Sequence, residues 1–421
     1  YLGWIALKQD RKGEAAKYFA ALGKFPKHAF AADASLQAAI VQIRNNNIAP
    51  ALVTLQKLLQ DNPQHPKADQ ATYYVGLCHA RLGKFTEALP YLKTVLTTYA
   101  TSDKADNAMY WQARCQEKGD KETGPPLAVE TLKAFLRKFP KSEMLTDAIL
   151  DLSKLEYDAK EYDRVIERMT ELLGAELDKP VAAALRNRAL YLLGWGYFKT
   201  KKMDAGAKAF EAMTKTGAKG GKMSPSAYFQ AGEARMRLKE YAQALEHFSK
   251  AVSAAKPPSD IHASSLLRRA DCEALMNEWK KSQATARLFL TTYAKHKLAP
   301  HGHFTLGWAM ENQKQYPKAI ESYRAVTAAG KNNAVTARAQ FQIGECFFAL
   351  NKLDEAVREL ARVESKYTFP EWSAKALLEL GRVREAQDME EKAMARYKEV
   401  ITRFPKTAAA TVAKNLLKKL D

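Results

Sequence analysis

The sequence predicts an all-α fold: a solenoid of about eleven helix-turn-helix repeats closed by a single C-terminal capping helix. Three observations carry that expectation. The pentapeptides "KFPKH" from Lys24, "KFPKS" from Lys138 and "RFPKT" from Arg403 place Phe25, Phe139 and Phe404 at intervals of 114 and 265 residues. These are three and seven times about 38, a period that marks a repeat array. A small residue is followed, usually twelve positions later, by a second small residue, and then by apolar residues four and seven further on. That template fits eleven times. Finally, spacings of three, four and seven on both sides of a short polar break belong to paired amphipathic helices, and no stretch shows the sustained alternation a strand requires.

Taken in order, the first small residue of each repeat is Gly3, Ala39, Gly76, Ala113, Ser153, Gly194, Gly232, Ala270, Gly307, Gly344 and Gly381. The second is Ala15, Ala51, Ala88, Ala128, Val165, Gly206, Ala244, Ser282, Ala319, Ala356 and Ala393, of which Val165 alone is not small. The interval from Ala113 to Ala128 is three residues longer and absorbs the turn "KGDKETGPP". Large side chains follow, as in Phe210 with Met213, Tyr323 with Val326 and Tyr397 with Val400. Small residues where two helices cross let the backbones approach, which is why Gly is tolerated there despite costing about 1 kcal/mol against Ala.

The recurring pentapeptide reads as the joint between repeats. Arg403 suits the last turn of a second helix, Phe404 closes the core, Pro405 stops the helix and Thr407 caps the next. The terminal "KTAAATVAKNLLKKLD" reads as a cap with Val412, Leu416 and Leu420 toward the array and Lys414, Lys418 and Lys419 toward solvent. Breaks in the spacing at 174–180, 215–225 and 254–259 read as surface loops or hinges. The first of them divides a block of repeats one to five (1–173) from repeats six to eleven (181–405), followed by the capping helix (406–421). Tyr1 already lies inside a first helix, so the chain is expected to be the ordered part of something longer.

Residue chemistry points away from catalysis. Cys78, Cys115, Cys272 and Cys346 all fall two residues after a first small residue. Other repeats fill that position with small or apolar residues, so four buried free thiols are expected. His296, His301 and His303 lie close together in "KHKLAPHGH", but no thiol or acid stands at a fixed offset, so cap or solvent-facing histidines are expected rather than a metal site. "GAKGGKMS" has Met223 where a phosphate loop needs Ser or Thr, and it links two helical patterns with no strand before it. No cofactor, metal ligand or catalytic residue is predicted. No apolar run approaches the roughly 18 residues needed to span a bilayer.

The set aromatic, Leu-Gly, Tyr or Phe, Ala, Phe or Tyr, Pro, seen in "LYLLGWGYFKTKKMDAGAKAF" and "HFTLGWAMENQKQYPKAIESYRAV", resembles the tetratricopeptide repeat over nearly the whole chain. That resemblance implies a right-handed superhelix. With the first small residue counted as slot 8, it also implies a concave groove lined by first-helix slots 2, 5, 9, 12 and 13. Slot by slot, the implied groove residues are Trp4; Arg188, Tyr191, Trp195, Phe198 and Lys199; Phe229 and Arg237; Phe304 and Trp308; and Phe341 and Phe348. Slot 9 should be the more exposed, making Trp4, Trp195 and Trp308 the leading anchors, whereas the slot 5 aromatics Tyr191, Phe229 and Phe304 either face the groove or pack between helices. The Lys and Asn pair with which some relatives clamp a C-terminal carboxylate is absent from slots 5 and 9.

The partners expected are therefore protein or peptide segments, acidic or amphipathic in character. The chain carries a net charge of +19, and residues 181–300 hold 21 basic against 9 acidic residues. Such a field favours acidic partners, including anionic membrane surfaces, cell-wall polymers and nucleic acid. Binding of RNA or another polyanion is the first alternative, since pentatricopeptide repeats are helical pairs of similar length; against it, the first helices lack a recurring polar pair. A second alternative is a superhelix accessory to a cell-wall enzyme, as in lytic transglycosylases. The long period and the "FPKS" joint resemble bacterial cell-envelope members, such as outer-membrane-assembly lipoproteins and Tol-Pal coordinators. That implies a periplasmic or envelope location, with the cytoplasm as alternative.

Overall fold

A computed structural model describes residues 1–25, 28–174, 183–215, 225–328, 330 and 332–420. These residues form 23 helices and no strand. The chain divides into two compact units, Tyr1–Lys202 and Met203–Asp421, so the division falls within the sixth repeat. The breaks expected at 174–180 and 215–225, like Pro26 and Lys27 of the first joint, lie almost wholly outside the described residues.

In the first unit the helix pairs are α1 (Leu2–Lys8) with α2 (Lys12–Gly23), α3 (Ala31–Arg44) with α4 (Ile48–Asp61), and α5 (Ala68–Arg81) with α6 (Phe85–Thr97). They continue with α7 (Ala105–Gly119) and α8 (Gly124–Lys138), then α9 (Leu145–Asp158) and α10 (Tyr162–Gly174), and end with α11 (Ala183–Lys199). The second unit opens with α12 (Met203–Lys215), followed by α13 (Pro225–Arg237) and α14 (Tyr241–Ala254), α15 (Asp260–Leu275) and α16 (Trp279–Thr292), and α17 (Ala299–Glu311) and α18 (Tyr316–Thr327). It closes with α19 (Ala334–Ala349) and α20 (Leu353–Lys366), α21 (Pro370–Glu385) and α22 (Glu390–Arg403), and the lone α23 (Ala408–Leu420). Within the units these are ten of the eleven expected pairs and the cap, and α11 and α12 of the sixth repeat lie on opposite sides of the division.

Within a unit the pairs close because the first small residue leaves room for a residue sixteen positions later, or nineteen in the fourth repeat, where Leu132 follows Ala113. A Cβ added at Gly232, Gly307 or Gly381 would fall under 3.0 Å from the rings of Phe248, Tyr323 and Tyr397 respectively. Those three side chains are completely buried. Where the later residue is smaller the packing shifts: the eighth repeat has Ala286 there and buries Phe289 instead, against Gly302 of the next repeat. The four cysteines are free and fully buried, and burial pushes the Cys78 and Cys115 thiols up to about 11 and that of Cys272 to about 12.

The turn between paired helices holds a device the sequence reading did not find. Asp10, Asn46, Gly83, Lys160, Lys201, Lys239, Asn277, Lys314, Asn351 and Asp388 all have φ between 55° and 77°. One of these ten is glycine and five are Asn or Asp, which tolerate the left-handed region, so the tight exit is imposed against preference at the four lysines. The fourth repeat, with its longer turn, uses the Asp120 carboxylate to accept from the N–H groups of Glu122 and Thr123.

At the joints, Thr407 Oγ1 accepts from Ala410 N–H at 3.3 Å and Ser142 Oγ from Met144 N–H at 3.1 Å. His28, His65 and His296 do the same work through Nδ1, accepting from Phe30, Lys67 and Leu298. His296 is thus a cap-region histidine. The capping helix needs one correction: Val412 is exposed, and the stripe packed on the array is Ala409, Ala410 and Ala413 with Leu416, Leu417 and Leu420. Small alanines let α23 sit close against α21 and α22, which rotates the buried stripe past Val412.

First helices also touch one another in sequence. In the second unit α13, α15, α17, α19, α21 and α23 form an unbroken row, while the second helices make no comparable contact among themselves. A row of first helices packed more closely than the second helices behind it must curve toward the first-helix side.

Candidate functional site on the first helices

The curved row of the second unit encloses a pocket of about 590 Å³. Met236 of α13, Asp271 and Leu275 of α15, Phe304 and Trp308 of α17, Arg338 of α19 and Trp372 of α21 all line it. In a flat row with axes about 8–10 Å apart, Met236 and Trp372 could not share one cavity. The curvature therefore builds the site. Most of the lining is apolar and aromatic, the usual character of a binding cavity.

Its polar groups differ sharply in how they are satisfied. The Asp271 carboxylate accepts from Thr305 Oγ1 at 2.8 Å, His301 Nε2 at 3.1 Å and Arg268 at 3.3 Å. Those donors hold it below the usual carboxylate range despite its burial. Arg338 is the opposite case. Its guanidinium lies 4.6 Å from the Phe304 ring centroid, 5.5 Å from that of Trp308 and 5.9 Å from that of Trp372. Its Nε is buried with no hydrogen-bond partner, and no described carboxylate forms an ion pair or hydrogen bond with it, Glu311 acting on it only through space.

A second cavity, of about 610 Å³, opens farther along the same face between Glu311, Tyr316, Glu345, Phe348, Glu379 and Arg382. Glu311 accepts from Tyr323 Oη at 2.6 Å and from Gln342 at 2.9 Å, and Glu379 accepts from Arg382 at 2.6 Å. Burial, reinforced by Glu379 and Glu311, pushes Glu345 up to about 7. Lys314 lines it as well, so at this end of the face three carboxyl groups stand against two cations.

The residues predicted from the sequence fall into two groups. Trp4, Arg188, Tyr191, Trp195, Phe198 and Lys199 belong to the first unit; the other six belong to the second. Trp4 is 53% exposed and stands edge-on to Phe19. Tyr191, Trp195 and Phe198 form a chain of ring contacts, with Tyr191 exposed, Trp195 half-buried and Phe198 buried. Arg188 is engaged by Asp147 and Asp151, at 3.4 and 3.0 Å, while Lys199 is exposed. In the second unit Phe304 and Trp308 share the pocket, Phe348 lines the acidic cavity, and Phe341 is buried against Trp372. Phe229 packs on Phe248 and Arg237 is exposed.

Arg338 and Trp372 were missed. Arg338 occupies slot 2 of the tenth repeat, the slot that nominated Arg188, so its signal was available; Trp372 lies ahead of slot 2 and had none. Among the described residues no group of three or more His, Cys, Asp or Glu side chains is placed to hold a metal ion. No helix among them is long and apolar enough to cross a membrane.

Helix pairs in a curved row with a pocket on the first-helix side define a helical-repeat solenoid. Models described as tetratricopeptide repeat match residues 36–105, 191–261 and 304–366, and 107–142 and 375–407. Together they span more than half of the sequence, and the chain belongs to the tetratricopeptide repeat family. No curated protein sequence matches it significantly. Among solved structures, it is similar to the C-terminal part of a TPR repeat-containing protein from Cytophaga hutchinsonii. That match has TM-score 0.50 and 14% identity, and covers 63% of this chain and 98% of that one. It also matches the APC/C hetero-tetramer Cut9–Hcn1, with TM-score 0.44 and 12% identity over 100% and 95% of the two chains. YrrB, described as a TPR protein with an unusual peptide-binding site, matches with TM-score 0.38 and 20% identity over 50% and 99%.

Proposed function

We propose that this chain is a non-catalytic scaffold that docks protein segments on the first-helix face of its second unit. The observation that carries the reading is the aromatic pocket around Phe304, Trp308 and Trp372, which joins residues from five successive first helices. Buried aromatic and Arg anchors dominate the energetics of protein interfaces. Weighing against a polyanion partner, Glu311, Glu345 and Glu379 share that face.

Selection of phage-displayed random 12-residue peptides on the full chain tests this. Enriched peptides should bind Trp308→Ala at least tenfold more weakly, with helical circular dichroism unchanged. Enriched peptides indifferent to Trp308→Ala would remove the pocket from the function. The same reading assigns the scaffold to a bacterial cell-envelope assembly, supported by the long repeat and the "FPKS" joint at 139–142. Fractionation of the native protein should then recover it with periplasm or envelope; recovery in the cytosol would refute the assignment.

A further inference from the structure

Resting on that reading, we infer that the pocket recognises a single carboxylate embedded in apolar residues of the docked segment, and that the acidic end of the same face rejects a second one.

The first half of the inference comes from Arg338. A guanidinium offers five donors in a fixed fork and stays charged at any physiological pH. Inside this chain arginines are generally spent: Arg235 on Glu211 and Glu240, Arg268 on Glu233 and Asp271, Arg362 on Glu359 and Arg382 on Glu379. Arg338 is held by three aromatic faces instead, an arrangement that fixes the plane of the guanidinium while leaving its edge unbonded. Its Nε is buried without a partner, and its two terminal nitrogens take no hydrogen bond within the described residues while opening on a largely apolar cavity. Asp271 lines that cavity too, but its oxygens are already taken by Thr305, His301 and Arg268. The missing counterpart is a planar anion with two acceptor oxygens, and in a segment of protein that is a carboxylate. The surrounding rings require apolar neighbours beside it.

The second half comes from geometry along α19. Glu345 lies seven residues beyond Arg338 on the same helix, about 10 Å along its axis at 1.5 Å per residue. There it faces Glu311 and Glu379, which with it outnumber the two cations of that cavity, Lys314 and the Arg382 paired to Glu379. An acidic tract or a nucleic-acid backbone seated on Arg338 would extend its next charges into that end of the face, where like charges repel. The site therefore fits one carboxylate and excludes a run of them, despite the chain's net charge of +19.

A binding cycle on the full chain tests the inference. Peptides enriched in the display experiment are synthesised with a fluorescent label, each beside a variant in which its Asp or Glu is replaced by Asn or Gln. On the wild-type chain the amide variant should bind at least tenfold more weakly; on Arg338→Gln the two should bind alike. On Glu345→Gln, a peptide carrying a second acid should gain severalfold, while the single-acid peptide is unchanged. Equal acid-to-amide ratios on wild type and Arg338→Gln would overturn the inference, as would enrichment of polyacidic peptides or Arg338-dependent binding of poly-uridylate RNA. If in that case the peptides still require Trp308, docking on this face stands and only the carboxylate is lost. If nothing enriched requires Trp308, both fall.

Discussion

Both units place an arginine among aromatic rings on their first helices, and they finish the arrangement differently. In the first unit Arg114 lies 5.7 Å from the Tyr110 ring centroid and 5.0 Å from that of Trp111. Asp151 closes the cluster: it accepts from Tyr110 Oη at 2.9 Å, lies 3.9 Å from Arg114, and accepts from Arg188 at 3.0 Å. In the second unit Arg338 sits among Phe304, Trp308 and Trp372 with no acid in direct contact, Glu311 reaching it only through space. The same side-chain chemistry is a staple between helices when an acid of the chain bonds it, and keeps its hydrogen-bond donors unspent when none does. A list of aromatic and basic residues cannot make that distinction; the position of one carboxylate does.

The comparison can be broken most directly by removing that carboxylate. Asp151→Ala strips a mostly buried acceptor from Tyr110, Arg114 and Arg188 at once, and should destabilise the first unit by about 1–3 kcal/mol. Hydrogen exchange at the amides of α7, α9 and α11 reads the loss locally, which matters because two units need not unfold as one. Arg338→Gln should cost the second unit clearly less. Equal costs would mean that Arg338 is also a staple.

A smaller effect, equal in both units, comes from the turns. Lys160→Gly in the first unit and Lys314→Gly in the second relieve a left-handed residue, at φ of 65° and 60°. Each should stabilise its own unit by about 0.5–1 kcal/mol, measurable as a rise in urea midpoint. A gain in one unit alone would show that the strain is not a common property of the repeat.

pH should separate the units by sign. Glu345 in the second unit is raised from 4.5 to about 7 by burial and by Glu379 and Glu311, against the opposing cations Arg382 and Lys375. A raised carboxyl contributes stability that is complete below 4.5 and is lost as pH rises through about 7. Thermal melts between pH 5 and 8 should show that loss diminished in Glu345→Gln. His79 in the first unit behaves oppositely: buried against Tyr91 with both ring nitrogens unpaired, its imidazole is lowered from 6.5 by desolvation. Its contribution is present above 6.5 and declines as pH falls, so His79→Leu should flatten the acid side of the first unit's profile.

The smallest expected change in stability would make the two clusters alike. Val335 lines the pocket one helical turn before Arg338. Val335→Glu should supply the missing partner, with a gain of about 0.2–0.5 kcal/mol from an i, i+3 pair, and convert the receptor into a staple. Calorimetry reads the gain, and loss of the selected peptides reads the closure.

Much of the fold was legible in the sequence because repeat proteins state each rule many times. The spacing from Gly307 to Ala319 and Tyr323 recurs with small variations along the chain, so chance matches are averaged away and the eleven pairs emerge. The left-handed turns were only partly legible: Gly83 and the Asn and Asp residues at 10, 46, 277, 351 and 388 carry a turn signal that went unread, whereas Lys160, Lys201, Lys239 and Lys314 carry none and are held there by packing on either side. Val412 was misplaced since close approach by Ala409, Ala410 and Ala413 turned the capping helix. For the site, slots 5 and 9 located Phe304 and Trp308, while Arg338 stood unread in a slot that had already been used for Arg188.

What the sequence determined by itself is the local frame: where each helix begins, which small residue meets which large one, and which face of each first helix looks away from its partner. These follow from spacing along one or two helices, and spacing is written in the chain. Only the tertiary structure decided which of the exposed cations are answered. Asp151 reaches Arg188 across 37 residues, and Met236 shares a cavity with Trp372 across 136. The curvature that brings them together is the sum of small differences between first-helix and second-helix packing, repeated over five pairs, and no single repeat contains it.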